Sequence, residues 1–377
     1  MNRLLVIDPG LSLWGSERAL LATVPDLVAS HQAVVAVVPH GAALGPKLAA
    51  CGVTVCESPI DHLGRRSMLL RAKVIVDLIV LCLRYRIDVI ALNQAGLCRV
   101  ASLVAQALGK RLVIHVRIAE DLMRVAHVRA TARAPVNAIL ISQDMARRFG
   151  RPDLRNPHFG VHIAYDVFEQ RPPAGRVRLE NAFVCVGRIA AVKGQRELAE
   201  AFVLLARRDV SARLDLIGAA SQEPTYGAHV RDVIAKAALQ DRVTFHGYRD
   251  DADDALSGYA FVVVPSRYEP LGRVVFEGWN AGCVPICSAE SGGAAEIVCQ
   301  SGGGLTYAGF DPASLADAMR RALALTSEER ARLVERGRRW MRDNASRTAY
   351  RTALAGVLFP QNIGVTHGAC QTSGLHS

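Results

Sequence analysis

Apolar runs of strand length and amphipathic helical segments alternate along most of this chain. In the first half, the apolar runs predict six strands, at residues 4–7, 34–38, 53–56, 89–92, 112–116 and 138–141. Helical periodicity lies between them, as at residues 16–29 and 97–108. Strands that are apolar throughout and separated by helices predict a parallel sheet covered by helices on both faces.

A second alternation begins after residues 166–180, where paired prolines, a glycine and several charges interrupt the pattern. That composition is typical of a linker. Beyond it, apolar runs predict strands at residues 183–186, 214–217, 243–245, 261–264 and 284–287. The predicted fold class is therefore α/β, with two doubly wound, Rossmann-like domains and a cleft between the carboxyl ends of their sheets.

The same pattern gives the domain boundaries. We predict an N-terminal domain at residues 1–165, a linker at 166–180 and a second domain at 181–340. A C-terminal helix at 341–358 is expected to pack back on the first domain. The polar, aperiodic residues 359–377 are expected to form a flexible tail.

Composition narrows the class of protein. With 377 residues, half of them hydrophobic, the chain is long enough for two globular domains. Its most apolar segment, residues 68–83, contains Arg71, Lys73 and Asp77, which argues against a membrane-spanning helix. The N-terminus lacks a small-residue cleavage site, and most of the nine cysteines lie in apolar runs. Both features favour a cytoplasmic protein in reducing surroundings, and no His/Cys spacing predicts a metal site.

The net charge of +10 comes mostly from arginine spread along the chain. Solvated helix faces account for such a balance, and contact with an anionic membrane at its cytoplasmic face is an alternative. Nucleic acid is the least favoured partner, because aromatic residues are only 6% of the chain and none interleave with a basic run.

The segment 261–298 carries the clearest chemistry. A buried strand runs into a loop with Glu269, a helix bearing Glu277, a second strand and a Gly292-Gly293 turn. Two carboxylates in this arrangement suit hydroxyl groups of a sugar and a ribose better than an acid–base pair, which would flank one bond. The glycine turn predicts backbone donors for a phosphate. The alternative is that the carboxylates only stabilise a helix N-terminus.

Cationic and glycine residues mark two further strand ends. Arg188 follows a strand, and Lys193 precedes a helix, so both could neutralise a diphosphate; the alternative is two solvated cations. Gly15 lies in the turn after the first strand, where free helix amides suit a phosphate, unless the turn only holds Ser16 as a helix cap. His115 ends a strand and is either a hydrogen-bonded core residue or a functional one.

These segments resemble the retaining, nucleotide-sugar-dependent glycosyltransferases of the GT-B fold, in the family-four class (glycosyl transferases group 1). The resemblance covers about residues 1–345 and is most specific in the second domain. The motifs that carry it are Val186-Gly187-Arg188, Lys193-Gly194, Pro265-Ser266-x-x-Glu269-Pro270-x-Gly272-x-Val274-x-x-Glu277, Ala281-Gly282-x-Val284-Pro285 and Gly292-Gly293-x-x-Glu296. More loosely, Trp14-Gly15-Ser16-Glu17 and Val113-Ile114-His115 also fit.

The resemblance implies a transfer of sugar, with retention of configuration, from a UDP- or GDP-linked donor to a cell-envelope, polysaccharide or glycolipid acceptor, without a metal or other cofactor. It implies catalytic roles for His115, Glu269, Arg188 and Lys193. The donor-binding residues that it implies are Gly15, Arg188, Lys193, Ser266, Glu269, Pro270, Leu271, Gly272 and Glu277. Within that set, Glu277 would bind the ribose and Glu269 the sugar hydroxyls.

The resemblance leaves two alternative functions open, and the sequence departs from the family's pattern beside Glu277. The chain could instead be a GT-B-fold nucleotide-sugar epimerase or an inactive nucleotide-binding homologue. The helix of Glu277 continues as Gly278-Trp279-Asn280 where the family usually has small or apolar residues, so we expect the donor pocket to be reshaped there.

Overall fold

The computed structural model describes residues 2–63, 67–150, 156–172, 175, 177–208, 211–220 and 223–359. Apart from Phe359, the predicted tail lies outside these residues. Two parallel sheets of seven and six strands organise the chain, each with helices between successive strands. The predicted class, with two doubly wound domains, is confirmed.

The first sheet has the strand order β3-β2-β1-β4-β5-β6-β7. Six of its strands were predicted, and their ends shift by one or two residues. The unpredicted strand is the last one at the sheet edge, where side chains are only half-buried and Gly160 and His162 interrupt any apolar run. The strands are β1 (Arg3–Ile7), β2 (Ala33–Val38), β3 (Thr54–Glu57), β4 (Val89–Leu92), β5 (Arg111–Val116), β6 (Val136–Leu140) and β7 (Phe159–Ile163).

Helices of the first domain follow its strands in chain order. They are α1 (Gly15–Ser30), α2 (Leu44–Ala50), α3 (Met68–Arg84), α4 (Cys98–Leu108), α5 (Asp121–Thr131) and α6 (Gln143–Phe149). Ser67 and Ser142 cap α3 and α6, since each hydroxyl accepts a hydrogen bond from a first-turn amide. No described helix of the chain is long and apolar enough to cross a membrane.

The second sheet has the order β10-β9-β8-β11-β12-β13. Its strands are β8 (Leu179–Val186), β9 (Arg213–Ile217), β10 (Val243–Gly247), β11 (Tyr259–Val264), β12 (Val284–Ser288) and β13 (Leu305–Tyr307). The three-residue β13 is too short to give an apolar run, so the sequence did not reveal it. Strand β8 begins at Leu179, inside the segment predicted as linker. The helices are α7 (Gln195–Ala206), α8 (Pro224–Lys236), α9 (Ala252–Ala255), α10 (Arg273–Ala281), α11 (Gly293–Ser301) and α12 (Pro312–Leu323).

The C-terminal helical segment is two helices, α13 (Ser327–Asn344) and α14 (Arg347–Ala353). Ser346 separates them and caps α14 by accepting a hydrogen bond from the amide of Ala349. Tyr350 and Leu354 belong to the same buried cluster as Leu20 and Val24 of α1. The chain thus ends its described part against the first domain.

An aromatic cluster joins the two domains at this end of the molecule. The rings of Phe168 and Phe276 have centroids 4.6 Å apart, and Tyr165 meets Trp340 edge-on at 4.9 Å. Trp279 lies beside Phe276 at 5.8 Å, is fully buried, and donates its indole N–H to the carbonyl of Gly303 at 2.8 Å. The expectation that Trp279 reshapes the donor pocket is therefore wrong, because the indole fills the core; its neighbour Asn280 does line the interdomain cavity described below.

Gly337 makes room for this cluster, which gives a test of its packing. A Cβ at that position would lie 2.1 Å from the Trp279 ring. Alanine is the better helix former by about 1 kcal/mol, but the forced shift of a buried indole costs about 1–3 kcal/mol. We expect Gly337→Ala to lower the urea-unfolding free energy. Gly45→Ala in α2, whose Cβ would meet its nearest atom at 3.6 Å, is the matched control and should not lower it; equal effects of the two substitutions would contradict this account.

Candidate functional site

Glu269 lies at the centre of a compact polar group after β11. Its Oε1 accepts hydrogen bonds from the Lys193 ammonium at 2.5 Å and from the Ser266 hydroxyl at 2.6 Å. The Glu269 side chain is 14% exposed and that of Lys193 27%, so solvent screens the pair only in part. Within the described part of the chain, Oε2 of Glu269 has no hydrogen-bond partner. Residues predicted from two separate motifs therefore meet here, although Lys193 lies 76 residues before Glu269 in the chain.

Glycines let the backbones at this point approach each other. Gly194, next to Lys193, has φ +70°, and a Cβ there would lie 2.1 Å from the carbonyl oxygen of Pro265. Gly272, which precedes α10, has φ +84°, and its Cβ would lie 2.6 Å from that of Ala294. Both positions combine a left-handed backbone with a close approach, so only glycine fits. Gly194 thus brings the Lys193 turn against the Glu269 loop, and Gly272 brings the end of that loop against α11.

The Gly292-Gly293 turn holds the Glu269 loop by its backbone. The amide of Gly293 donates to the carbonyl of Glu269 at 2.7 Å, and the amide of Glu269 donates to the carbonyl of Ser291 at 2.9 Å. The prediction that this turn supplies phosphate donors is therefore wrong for Gly293, whose N–H is already used. Pro270 and Leu271 continue the loop, and the carbonyl of Pro270 accepts from the Ser142 hydroxyl of the first domain at 2.7 Å.

Arg188 lies in the same segment as Lys193, between β8 and α7. Its side chain is exposed, and its carbonyl accepts a hydrogen bond from the Gln195 amide group at 2.8 Å. Gly187 and Gly218 support this turn, because a Cβ on Gly218 would lie 1.9 Å from the Gly187 carbonyl oxygen. The two predicted cations thus stand on one short segment at the carboxyl end of the central strand β8.

Glu277 and Gly15 face each other across the domains through Arg273. The Arg273 Nε lies 3.9 Å from a carboxylate oxygen of Glu277, and a Cβ on Gly15 would lie 2.9 Å from Arg273 Cδ. Arg273 and Glu277 line an interdomain cavity of about 550 Å³, with Arg18 from α1 and Asp250 and Asp254 after β10. The buried Nη1 of Arg273 has no hydrogen-bond partner among the described residues. Arg273 could not be predicted from the sequence, because the motif accepts any residue at its position.

His115 lies apart from this group, inside the first domain. Its Nδ1 is 3.3 Å from the carbonyl oxygen of Leu92, and its Nε2 is 2.5 Å from the hydroxyl of Tyr350, whose ring stacks on the imidazole. Burial, reinforced by the charge of Arg117, lowers the pKa of His115 to about 3. A neutral imidazole with both nitrogens engaged favours the core interpretation over a catalytic one.

Glu296 bridges the two domains and was not predicted as a site residue. Its carboxylate accepts hydrogen bonds from the amides of Gln143 at 3.0 Å and Asp144 at 2.5 Å, and from the hydroxyl of Tyr165 at 2.7 Å. The two amides are orphan donors at the start of α6, which a carboxylate from another element satisfies. The motif contained Glu296, but no local signal tells that its partners lie about 150 residues away.

A buried polar network closes the carboxyl end of the first sheet. Asn93 donates to the Asp8 carboxylate at 2.5 Å and to the Ser16 carbonyl at 3.1 Å. Arg117 donates to the carbonyl of Asn93 at 3.1 Å and is paired with Asp166. Burial, with a smaller effect of Glu17, raises the pKa of Asp8 from its ordinary 3.8 to about 6, against the opposing hydrogen bond from Asn93. Asp8 therefore holds the turn of Gly15 through Asn93, and the free energy needed to bury its carboxyl group depends on pH.

This pKa gives a signed prediction. A folded-state pKa above the unfolded one contributes stability that is present below the unfolded pKa and lost as pH rises through the folded one. We expect the unfolding free energy of the native chain to fall by about 2 kcal/mol relative to Asp8→Asn between pH 4 and pH 7. Urea titrations of both proteins across this range measure the difference, in which the titration of His115 cancels. A pH-independent difference would show that Asp8 titrates normally.

Similar proteins point to one family. Residues 166–340 match the family model described as glycosyl transferases group 1. The alpha-D-kanosaminyltransferase of Streptomyces kanamyceticus is 28% identical over 260 residues, 64% of this chain and 64% of that one. The lipopolysaccharide core biosynthesis glycosyltransferase LpsD of Rhizobium meliloti is 32% identical over 124 residues, 32% of this chain and 34% of that one. The matches thus span less than two thirds of the length of these curated relatives.

The fold has solved counterparts. Anabaena Alr3699/HepE, crystallised in complex with UDP-glucose, superposes with a TM-score of 0.75 at 18% identity, covering 95% of this chain and 99% of that one. At this identity the likeness concerns the fold alone, and it confirms the predicted GT-B architecture. The family match lies over the domain that carries Arg188, Lys193, Glu269 and Glu277.

Proposed function

We propose that this GT-B chain, in which residues 166–340 belong to the glycosyl transferases group 1 family, is a glycosyltransferase that uses a nucleotide-diphosphate sugar. The observation that carries the proposal is the contact of Lys193 and Ser266 with Glu269, on loops fixed by glycines at the carboxyl edge of the second sheet. Carboxyl edges of such sheets are where α/β folds bind nucleotides. The UDP-glucose complex of HepE supports the same donor class.

Each residue has a part that its chemistry suits. The donor diphosphate would contact Arg188 and Lys193, whose positive charge meets the negative charge that develops as the glycosidic C–O bond breaks. Glu269 would accept hydrogen bonds from hydroxyls of the donor sugar through its unoccupied Oε2. Glu277 would accept those of the ribose, inside the cavity that it shares with Arg273. In this proposal the two cations stabilise the negative charge of the leaving group, and no metal ion takes part.

Retention of configuration follows from the same arrangement in this proposal. The acceptor hydroxyl would attack the anomeric carbon from the face that the diphosphate leaves, and its proton would pass to a departing phosphate oxygen. Closure of the domains would exclude water and so disfavour hydrolysis. The acceptor would be a cell-envelope, polysaccharide or glycolipid group at the cytoplasmic face of the membrane, a class to which the name of LpsD lends support.

Removal of the central carboxylate tests the site. We expect Glu269→Ala to lower turnover by about 10²-fold or more, since the sugar loses its positioning contact, while UDP and GDP still bind because Arg188 and Lys193 remain. Initial rates of sugar transfer or donor hydrolysis and titration with UDP and GDP measure the two effects. Glu200→Ala is the matched control, because this carboxylate lies on the neighbouring helix α7 and pairs with Arg196 one turn away, outside the candidate site. Unchanged turnover in Glu269→Ala would remove the residue from the site.

The cations should act on binding and transfer together. We expect Arg188→Ala to weaken nucleotide-diphosphate affinity and to lower turnover by about 10²–10³-fold, because the charge it neutralises grows in the transition state. A panel of UDP- and GDP-sugars, assayed for donor hydrolysis, identifies the donor in the same experiment. A product epimerised at the sugar, with no release of nucleotide in the presence of acceptor, would favour the epimerase alternative; nucleotide binding without turnover would favour an inactive homologue.

A further inference from the structure

Helix α3 exposes an apolar stripe that the described part of the chain leaves open to solvent. The opposite face of the helix packs into the core through Val74, Leu78 and Cys82, so the stripe is not needed for this packing. At about 100° per residue, the outer residues fall within an arc of about 60° and extend about 21 Å along the helix. We call them the α3 stripe: Leu69 (85% exposed), Val76 (56%), Val80 (54%) and Leu83 (61%).

The surface around the α3 stripe continues its apolar character. Helix α4 packs against α3, and α5 packs against α4. Both neighbours also expose large apolar side chains, Leu103 on α4 (57%) and Met123 on α5 (78%), and Met68 begins α3 at 84% exposure. Isolated apolar side chains on a surface are ordinary, but a group on adjacent helices marks an interaction surface.

Basic residues border the α3 stripe. By helical geometry Lys73 and Arg84 lie along one of its edges, and Arg84 ends the helix. Lys73 contacts Asp77 at 2.7 Å, and that aspartate is the one acidic residue of α3, which has three basic ones. Helix α4 adds Arg99 and has no acidic residue. The surface therefore combines exposed apolar groups with an excess of positive charge.

We infer that the α3 stripe docks on the surface of a bilayer containing anionic lipids. A helix in the plane of the interface buries its apolar face among acyl chains while its basic edge contacts anionic headgroups, so both features of this surface are satisfied by one partner. A second copy of the chain would satisfy them less well, because a two-fold interface places the same basic excess on both sides. This surface belongs to the first domain, whereas the donor residues lie on the second.

Docking of this kind would let the first domain meet a lipid-linked acceptor at the membrane. Only this role in catalysis rests on the proposed function. The binding itself needs neither donor nor turnover. It can therefore be measured on the full chain alone, and the two proposals can fail separately.

Vesicle flotation tests the docking. We expect the full chain to float with vesicles of phosphatidylcholine and phosphatidylglycerol, and to float much less with phosphatidylcholine alone. The double variant Val76→Ser/Leu83→Ser should lower the lipid partition coefficient by about tenfold or more, since binding scales with buried apolar area. Arg84→Gln should reduce chiefly the preference for the anionic vesicles. Val177→Ser removes an exposed valine (91%) that lies two residues before β8 of the second sheet, outside the α3 stripe, and should leave flotation unchanged.

Several outcomes overturn the inference. One is a native chain that stays unbound with both kinds of vesicle; another is a double variant that binds like the native chain. Sedimentation that shows a dimer abolished by the double variant, together with no vesicle binding, assigns the stripe to a second copy. If the chain turns over the donor but does not float with vesicles, only the docking is contradicted. If it floats but binds no nucleotide-sugar, only the proposed function is contradicted.

Discussion

The carboxylate of Glu296 is the contact on which the relative placement of the two domains most depends. It is almost fully buried, and it accepts hydrogen bonds from two amides of α6 and from Tyr165. Without it, two part-buried amides at the start of α6 would lose their partner from the second domain, and the hydroxyl of the buried Tyr165 would lose its acceptor. Glu296 stands one turn after Gly292-Gly293, whose backbone holds the loop of Glu269. The interdomain contact and the candidate site are therefore parts of one rigid segment.

The same end of the molecule shares one apolar core across both domains. Residues of the first sheet, the linker aromatic Phe168 and the rings of Phe276, Trp279 and Trp340 form a single buried cluster. Beside it, a cavity separates the domains, lined by Phe168 of the cluster, by Arg18 on one side and by Glu277 on the other. Cores are close-packed and resist deformation, so the shared cluster holds the two domains together directly next to the open space of the candidate site.

The elements that local sequence patterns encode could be predicted from the sequence. Buried strands appear as apolar runs, so eleven of the strands could be placed, whereas the half-exposed β7 and the three-residue β13 gave no such run. Glu269 and its partner Lys193 could both be identified from their motifs. Each motif follows a strand of the same parallel sheet, so the two residues lie at the same edge. Trp279, Arg273 and Glu296 were different. Trp279 and Glu296 contact residues 24 and 153 positions away, and Arg273 lies against Gly15 of the first domain; no periodicity of the chain encodes such contacts.

The pairing of Glu269 with Lys193 explains how such a site can exist before a donor arrives. A partly buried carboxylate and an ammonium at 2.5 Å compensate each other's desolvation, and each alone would be costly. A diphosphate would take over the ammonium as its partner, and the carboxylate would then turn to hydroxyl groups. In the proposed reaction, loosening of the bond between Lys193 and Oε1 would free that oxygen for sugar hydroxyls in addition to Oε2, so binding of phosphate would favour binding of sugar. The pair would therefore favour the complete nucleotide-sugar over its fragments.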